Sequence, residues 1–243
     1  MKARLLSPLY VFIAVLLTVC IPSIKAQDTE TTSASTFSFS DINYSLFAGG
    51  SIIFFPHDNG IYSDPMHILP SPGIGLRMEF SEVFSAEATL DLYFATYGYS
   101  DFLGRAVPMS WENRTAFVWG NLLSIQAVRR IDFNETLGLR IFGGLGFDLR
   151  MVFRAPDLHP LDPLEEIDRQ TKLVSEYFWG GGRWFLPVVG TGLDINLNEK
   201  IRLGLDLRAW IPLYALMGDE DLSDWEGWRF GIGFRVLFLN PIK

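Results

Sequence analysis

The sequence lacks three features, and each absence excludes a class of protein. Its single cysteine, Cys20, leaves no partner for a disulfide, which excludes a disulfide-stapled scaffold. Basic residues are scarce, since 20 Lys and Arg stand against 28 Asp and Glu in 243 residues, and this acidity argues against nucleic acid as a partner. Beyond residue 26 no run of about 18 apolar residues could form a transmembrane helix. Hydrophobic residues nevertheless make up 49% of the chain, which excludes a disordered protein.

Residues 1–26 have the pattern of a signal peptide. Two basic residues near the start precede an apolar stretch at 9–21, and Ala26 offers a small residue for cleavage. The apolar stretch is shorter than the roughly 20 residues that span a bilayer as a helix. Cleavage would leave an exported chain that begins at Gln27 and has no thiol. A lipoprotein cleavage site with an acylated Cys20 is the alternative interpretation.

Strict alternation of apolar and polar residues dominates the chain after a Ser- and Thr-rich, flexible periplasmic lead at 27–41. A period of two is typical of β-strands with two unlike faces, because a helix would scatter the same residues around its circumference. The pattern is clearest in four segments, Phe84–Phe94, Leu137–Met151, 201–213 and 227–238. Four weaker segments complete a set of eight predicted strands: Asn43–Phe55, Gly73–Phe80, Phe117–Arg129 and Phe185–Leu197.

The connections between these strands alternate between short and long. The short ones are 81–83, 131–136 and 197–199, and the long ones are 56–72, 98–115, 154–183 and 214–226. All short connections therefore lie at one end, as in transmembrane barrels with short periplasmic turns and long outer loops. We predict an all-β fold, an eight-stranded antiparallel up-and-down transmembrane barrel over residues 42–240, followed by a C-terminal tail at 241–243.

Side-chain volume predicts which face of the strands is inside. The interior of an eight-stranded barrel is just wide enough for side chains, and the many Leu, Ile, Phe and Met of the apolar faces would overfill it. Glycines are concentrated on the opposite faces, although glycine is a poor strand former, which indicates crowding there. The polar faces should therefore point into the lumen and the apolar faces towards lipid.

The polar faces carry a nearly neutral set of charges in which every base is arginine. Arginine can hydrogen-bond carboxylates in an enclosed space, so we predict a lumen charge network. Its predicted members are Arg77, Glu79, Glu87, Asp91, Arg140, Asp148, Arg150, Asp194, Arg202, Asp206, Arg208, Arg229 and Arg235. Two interpretations stay open: the network either fills the lumen as a structural plug or lines a narrow polar path.

The alternating strands and connections over residues 42–240 resemble the small eight-stranded outer-membrane barrels of diderm bacteria, the OmpA-transmembrane, OmpX and OmpW type, in a spirochaete-like variant. Such barrels usually end on an aromatic residue, whereas here Phe238 is followed by five further residues. The resemblance implies a bacterial outer-membrane location and contact with the insertion machinery. The OmpW type would further imply lateral passage of small apolar molecules into the bilayer.

We therefore expect a non-enzymatic outer-membrane protein, either structural or a narrow channel for small solutes that include hydrophobic ones. The alternative is an adhesin that binds a surface ligand through acidic outer loops. A lipid-modifying enzyme is the third hypothesis, because His57 with Asp58 and Ser63 forms a loop-borne polar set; His67 and His159 are the other histidines. We expect no cofactor and no metal.

One long connection contains a helix-start signal. Pro163 follows Asp162, and Glu165 and Glu166 would lie in the first turn, which predicts a short helix up to about Phe178. Such a helix would either cap the barrel mouth or simply order an exposed loop.

Overall fold

The computed structural model describes residues 43–56, 67–110, 115–155, 163–217 and 227–239. The strands are β1 Asn43–Phe55, β2 His67–Glu79, β3 Phe84–Ser100, β4 Arg105–Pro108, β5 Ala116–Asp132, β6 Leu137–Arg154, β7 Val188–Asn196, β8 Ile201–Trp210 and β9 Arg229–Phe238. The helices are α1 Leu164–Trp179 and the short α2 Leu213–Met217.

The strands form one closed antiparallel barrel. Apart from β4, each strand pairs with its neighbours along the chain, and β1 pairs with β9 to close the ring, for example at Ile52 with Ile232. β4 lies outside the ring and pairs with the end of β3. The predicted fold class, an eight-stranded antiparallel up-and-down barrel, is confirmed. Short turns connect the strands at one end, called here the turn end, and long connections lie at the other, the loop end.

The predicted side-chain orientation is also present. Charged residues, glycines and a few aromatic rings point inward, whereas large apolar side chains on every barrel strand are exposed on the outside. One exposed example from each barrel strand is Leu46, Ile74, Phe94, Ile125, Leu145, Leu193, Leu205 and Phe234. The outer surface is therefore an apolar belt around the whole circumference.

β2 begins earlier than its sequence predicts. The sequence pattern predicts a loop before Gly73, whereas the strand starts at His67 and includes Pro70 and Pro72. These prolines pair in register with β1, while the pairing of β2 with β3 begins only at Gly73 opposite Asp91. Because proline has no N–H to donate, it is tolerated where a strand has an unpaired edge.

Other boundaries differ where a strand meets the loop end. β3 extends beyond Phe94 to Ser100 and forms a hairpin with β4 through Gly104, whose φ of 64° is the left-handed conformation that favours glycine. β7 begins at Val188, later than its predicted start. β8 ends at Trp210, three residues before its predicted end. Gly227, expected on the inner face of the last strand, lies in a turn before β9 with φ 78°.

Candidate functional site

Charged side chains in the lumen form two groups along the barrel axis. The inner cluster, towards the turn end, consists of Arg77, Glu79, Glu87, Asp91, Arg140, Asp194, Arg202, Asp206, Arg208 and Arg235. The outer cluster, nearer the loop end, consists of Asp148, Arg150 and Arg229.

Arg140 is the centre of the inner cluster and is completely buried. Its Nε donates a hydrogen bond to Asp194 Oδ1 at 2.7 Å, and its Nη2 donates to Asp206 Oδ1. Its Nη1 also lies 3.7 Å from Glu87 Oε2. One guanidinium therefore contacts three carboxylates from three different strands, which is the fork geometry that arginine offers.

The remaining members extend this network across the lumen. Arg235 Nη1 donates to Glu87 Oε2 at 2.8 Å, and Arg208 Nη1 donates to Asp91 Oδ2 at 2.9 Å. Further ion pairs of the cluster include those of Arg77 with Glu79 and Glu87, of Arg208 with Asp206, and of Arg202 with Asp194. The cluster thus contains five arginines and five carboxylates, so its formal charges cancel.

Inward glycines provide the room for these contacts. Arg140 on β6 and Asp206 on β8 both stand opposite Gly192 of the intervening strand β7, so their ion pair passes over that residue. A Cβ atom on Gly192 would lie 2.9 Å from Arg140 Nη2 and even closer to Asp206 Oδ1. A Cβ on Gly204 would lie 2.8 Å from the side chain of Arg235. The crowding predicted from the glycine-rich faces is therefore present.

The outer cluster is centred on Asp148. Tyr93 Oη donates to Asp148 Oδ1 at 2.8 Å, Arg150 Nε donates to Oδ2 at 2.5 Å, and Arg229 Nη2 lies 2.6 Å from Oδ2. Apolar side chains, among them Trp210, surround this group in the main hydrophobic core. Trp210 points inward and is fully buried. Two arginines therefore share one carboxylate in a largely apolar part of the lumen.

Helix α1 covers the loop end of the lumen. Its buried residues Ile167, Val174 and Phe178 lie on one face, and the Phe178 ring meets the Tyr97 ring edge-on at 4.9 Å. Arg150 lies 4.0 Å from the centre of the Phe178 ring, a cation–π contact that joins the helix to the outer cluster. The helix forms nearly as predicted, and of its two expected roles the capping of the mouth is the one observed.

Exposed ion pairs attach the other face of α1 to the barrel rim. Arg154 at the end of β6 lies 2.5 Å from Asp168, and Arg169 bridges Glu166 within the helix and Asp101 in the β3–β4 turn. Hydrogen bonds from Arg169 and Gln170 lower the pKa of Glu166 to about 2. These pairs position the helix over the mouth.

The loop-borne polar set proposed for catalysis lies largely outside the described residues. His57, Asp58, Ser63 and His159 fall there, and only the backbone of His67, which begins β2, is described. Among the described residues no group of three or more His, Cys, Asp or Glu could hold a metal ion. The described part of the chain also contains no helix long and apolar enough to cross a membrane.

Sequence reasoning missed the residues that organise the mouth. Tyr93 shares the polar face of its strand with Glu87 and Asp91, and Phe178 stands at the end of the predicted helix. Nothing in the sequence shows that these two rings meet arginines, and Arg183 lies in a long connection. The helix-start signal was the available indication, because a cap helix must place some of its apolar residues over the barrel. The pairing partners could not be derived, since they depend on the strand register.

No protein-family model matches the sequence, and no curated protein matches it. Among solved structures the chain is similar to the outer membrane protein OprG from Pseudomonas aeruginosa, with 11% identity, a TM-score of 0.47 and coverage of 82% of this chain and 97% of that chain. Neisserial surface protein A gives 11% identity, a TM-score of 0.46 and coverage of 81% and 97%. The outer membrane enzyme PagL gives 7% identity, a TM-score of 0.38 and coverage of 82% and 99%.

The likeness to these proteins extends no further than the fold. The expected resemblance to small eight-stranded barrels is confirmed by the strand number, strand order and closure of the ring. The spirochaete-like variant and the absence of enzymatic activity stay predictions, because a fold by itself does not specify a function.

Proposed function

We propose that this protein is a non-enzymatic barrel of the bacterial outer membrane, and that the signal peptide predicted at residues 1–26 directs its export. The observation that carries the proposal is the apolar belt around all eight barrel strands, combined with a lumen that contains buried charged side chains. A belt of this extent is incompatible with free exposure to water and typical of contact with lipid. β7, β8 and β9 contain nine, ten and ten residues, the length that crosses a bilayer as a tilted strand.

We further propose that the lumen is a structural plug without an open pore. Arg140, Glu87 and Asp194 are fully buried at the turn end, and Tyr93 and Trp210 are fully buried towards the loop end. Helix α1 covers the mouth above them. An eight-stranded barrel has room only for side chains, so this filling is consistent with its strand number. The channel and adhesin hypotheses stay alternatives to this structural role.

Cysteine labelling in intact membranes tests the membrane location. Leu145 and Leu205 are about half exposed on the outer surface, 47% and 54%, so a water-soluble maleimide would reach them in an aqueous protein. Leu145→Cys and Leu205→Cys should resist the reagent in membranes and react after denaturation. Lys172→Cys, on the exposed face of α1, serves as the matched position that should react throughout. Equal labelling of all three in intact membranes would contradict the proposal.

Planar-bilayer conductance of the refolded protein tests the plug. We expect no channel events for the wild-type barrel. Reproducible single-channel steps from the wild type would instead support the narrow-channel hypothesis.

A further inference from the structure

A cavity of about 40 Å³ lies at the loop end of the lumen, where α1 meets the barrel. A cavity of about 10–15 Å³ holds one water molecule, so this space fits a chemical group of a few atoms. Aromatic rings and three arginines, Arg150, Arg183 and Arg229, form much of its wall. The wall is therefore cationic within a chain whose formal net charge is −8.

Arg229 supplies donors that no described residue accepts. Its side chain is only 1% exposed and contacts Asp148 through Nη2 alone. Within the described part of the chain, Nε and Nη1 are both buried and have no hydrogen-bond partner. Buried polar groups are normally paired, because an unpaired one loses its hydration without compensation. An acceptor in the adjoining cavity would satisfy these two donors.

The charge balance of the lumen also indicates that an anion would bind at this cavity. The inner cluster contains five arginines and five carboxylates, whereas in the outer cluster Asp148 alone faces Arg150 and Arg229. The uncompensated positive charge of the network therefore lies at the cavity. Arg183, whose guanidinium lies 4.2 Å from the centre of the Tyr177 ring, also lines the cavity. A buried excess charge is costly unless a counter-ion accompanies it.

We propose that this cavity binds a small oxyanion, the carboxylate or phosphate group of a ligand that enters from the loop end. Ring contacts hold the receiving cations in place, since Arg150 lies 4.0 Å from the centre of Phe178 and Arg229 lies 5.2 Å from that of Phe55. Guanidinium groups fixed in this way offer several donors to one anion. The site goes beyond the proposed structural role, which does not use it.

Titration of the refolded full-length protein with sodium phosphate and, separately, with sodium acetate tests the site at constant ionic strength. Trp228 lines the cavity, so its fluorescence provides a signal, and calorimetry gives an independent affinity. We expect saturable binding of one anion per chain, and the preferred anion distinguishes a phosphate from a carboxylate ligand. Absence of saturable binding to the wild type would overturn the proposal.

Two variants and a matched control locate the binding. Arg229→Gln should weaken it about tenfold to a hundredfold, the range expected when a hydrogen-bonded charge is removed. Arg183→Gln, a less buried position, provides the same test if the first variant does not refold. Arg130→Gln removes the same charge at the turn end, where Arg130 pairs with Asp132, and should leave the affinity unchanged. Equal loss in all three would show unspecific attraction and refute the site.

The carboxylates of the acidic segment 218–226 are the alternative occupant of the cavity, in place of a free anion. It contains five carboxylates and directly precedes Gly227 at the cavity wall. In a variant with these five residues changed to Asn or Gln, we expect phosphate affinity within about threefold of the wild type. Binding that emerges only in this variant would show that the chain's own carboxylates occupy the site and would overturn a site for free anions.

Discussion

Replacement of Arg140 by methionine tests whether the inner cluster acts as the core of the barrel. The substitution keeps much of the side-chain volume and removes a guanidinium that contacts Glu87, Asp194 and Asp206 and hydrogen-bonds both aspartates. Asp194 is affected most, because its other arginine contacts are 3.7 Å or longer. The variant therefore leaves a fully buried carboxylate without its short hydrogen bond.

The expected loss of unfolding free energy is about 3–5 kcal/mol, the cost typical of removing one partner of a buried ion pair. Arg154→Met is the matched control, since Arg154 pairs with Asp168 at a site where both side chains are about half exposed. Exposed pairs contribute only about 0.2–1 kcal/mol, so the control should unfold near the wild type. The two variants have the same chemistry and differ mainly in burial.

Equilibrium unfolding in urea, with the barrel refolded in lipid vesicles, measures both variants. The double variant Arg140→Met/Asp194→Leu adds a test of mechanism because it restores equal numbers of positive and negative charges in the inner cluster. We expect it to regain part of the stability lost by Arg140→Met, with a coupling of at least about 1 kcal/mol. If Arg140→Met costs no more than Arg154→Met, the network does not replace a hydrophobic core and the argument fails.

Two further predictions concern a wall glycine and the cap helix. Gly144→Ala should destabilise the barrel by about 1–3 kcal/mol, because the new Cβ would overlap the carbonyl oxygen of Ile125. Gly50→Ala should be tolerated, because the nearest atom to its Cβ would be the carbonyl oxygen of Ser71 at 3.7 Å. Unfolding in urea compares the two variants. Glu166 should titrate near pH 2 by NMR and return towards the ordinary glutamate pKa of 4.5 in Arg169→Gln. Because folding lowers the pKa of Glu166, the stability that its ionised carboxylate contributes is present above about pH 4.5 and is lost as the pH falls towards 2. An unshifted pKa of Glu166 in the wild type would contradict the observed geometry.

Strand faces could be predicted from the sequence because alternation and volume are local properties. The segment Leu137–Met151 already separates its apolar face from its charged and glycine face, and β6 keeps this division over Leu137–Arg154. The start of β2 was predicted wrongly for an equally physical reason. Pro70 and Pro72 are incompatible with a strand that is paired on both sides, but here the segment is paired with β1 and not with β3.

Ion-pair partners could not be predicted, because they depend on strand register. Arg140 and Asp206 are 66 residues apart and belong to strands that are not neighbours, yet both lie opposite Gly192. The sequence shows that Gly192 is small but not which side chains pass over it. The cap was ambiguous for a similar reason, since the face of α1 that carries Phe178 has a partner only once β3 is in place.

The two ends of the lumen solve different physical problems. At the turn end, five arginines and five carboxylates fill the lumen. The apolar side chains can therefore face outward without leaving an empty interior. At the loop end, Trp210, Phe178 and Tyr93 form an apolar seal, and here the balance ends because Asp148 alone serves two arginines. A closed lumen gains nothing from a surplus of positive charge in its most apolar region. The imbalance is explained if the loop end is built to receive a negative charge from outside, as the proposed anion site requires.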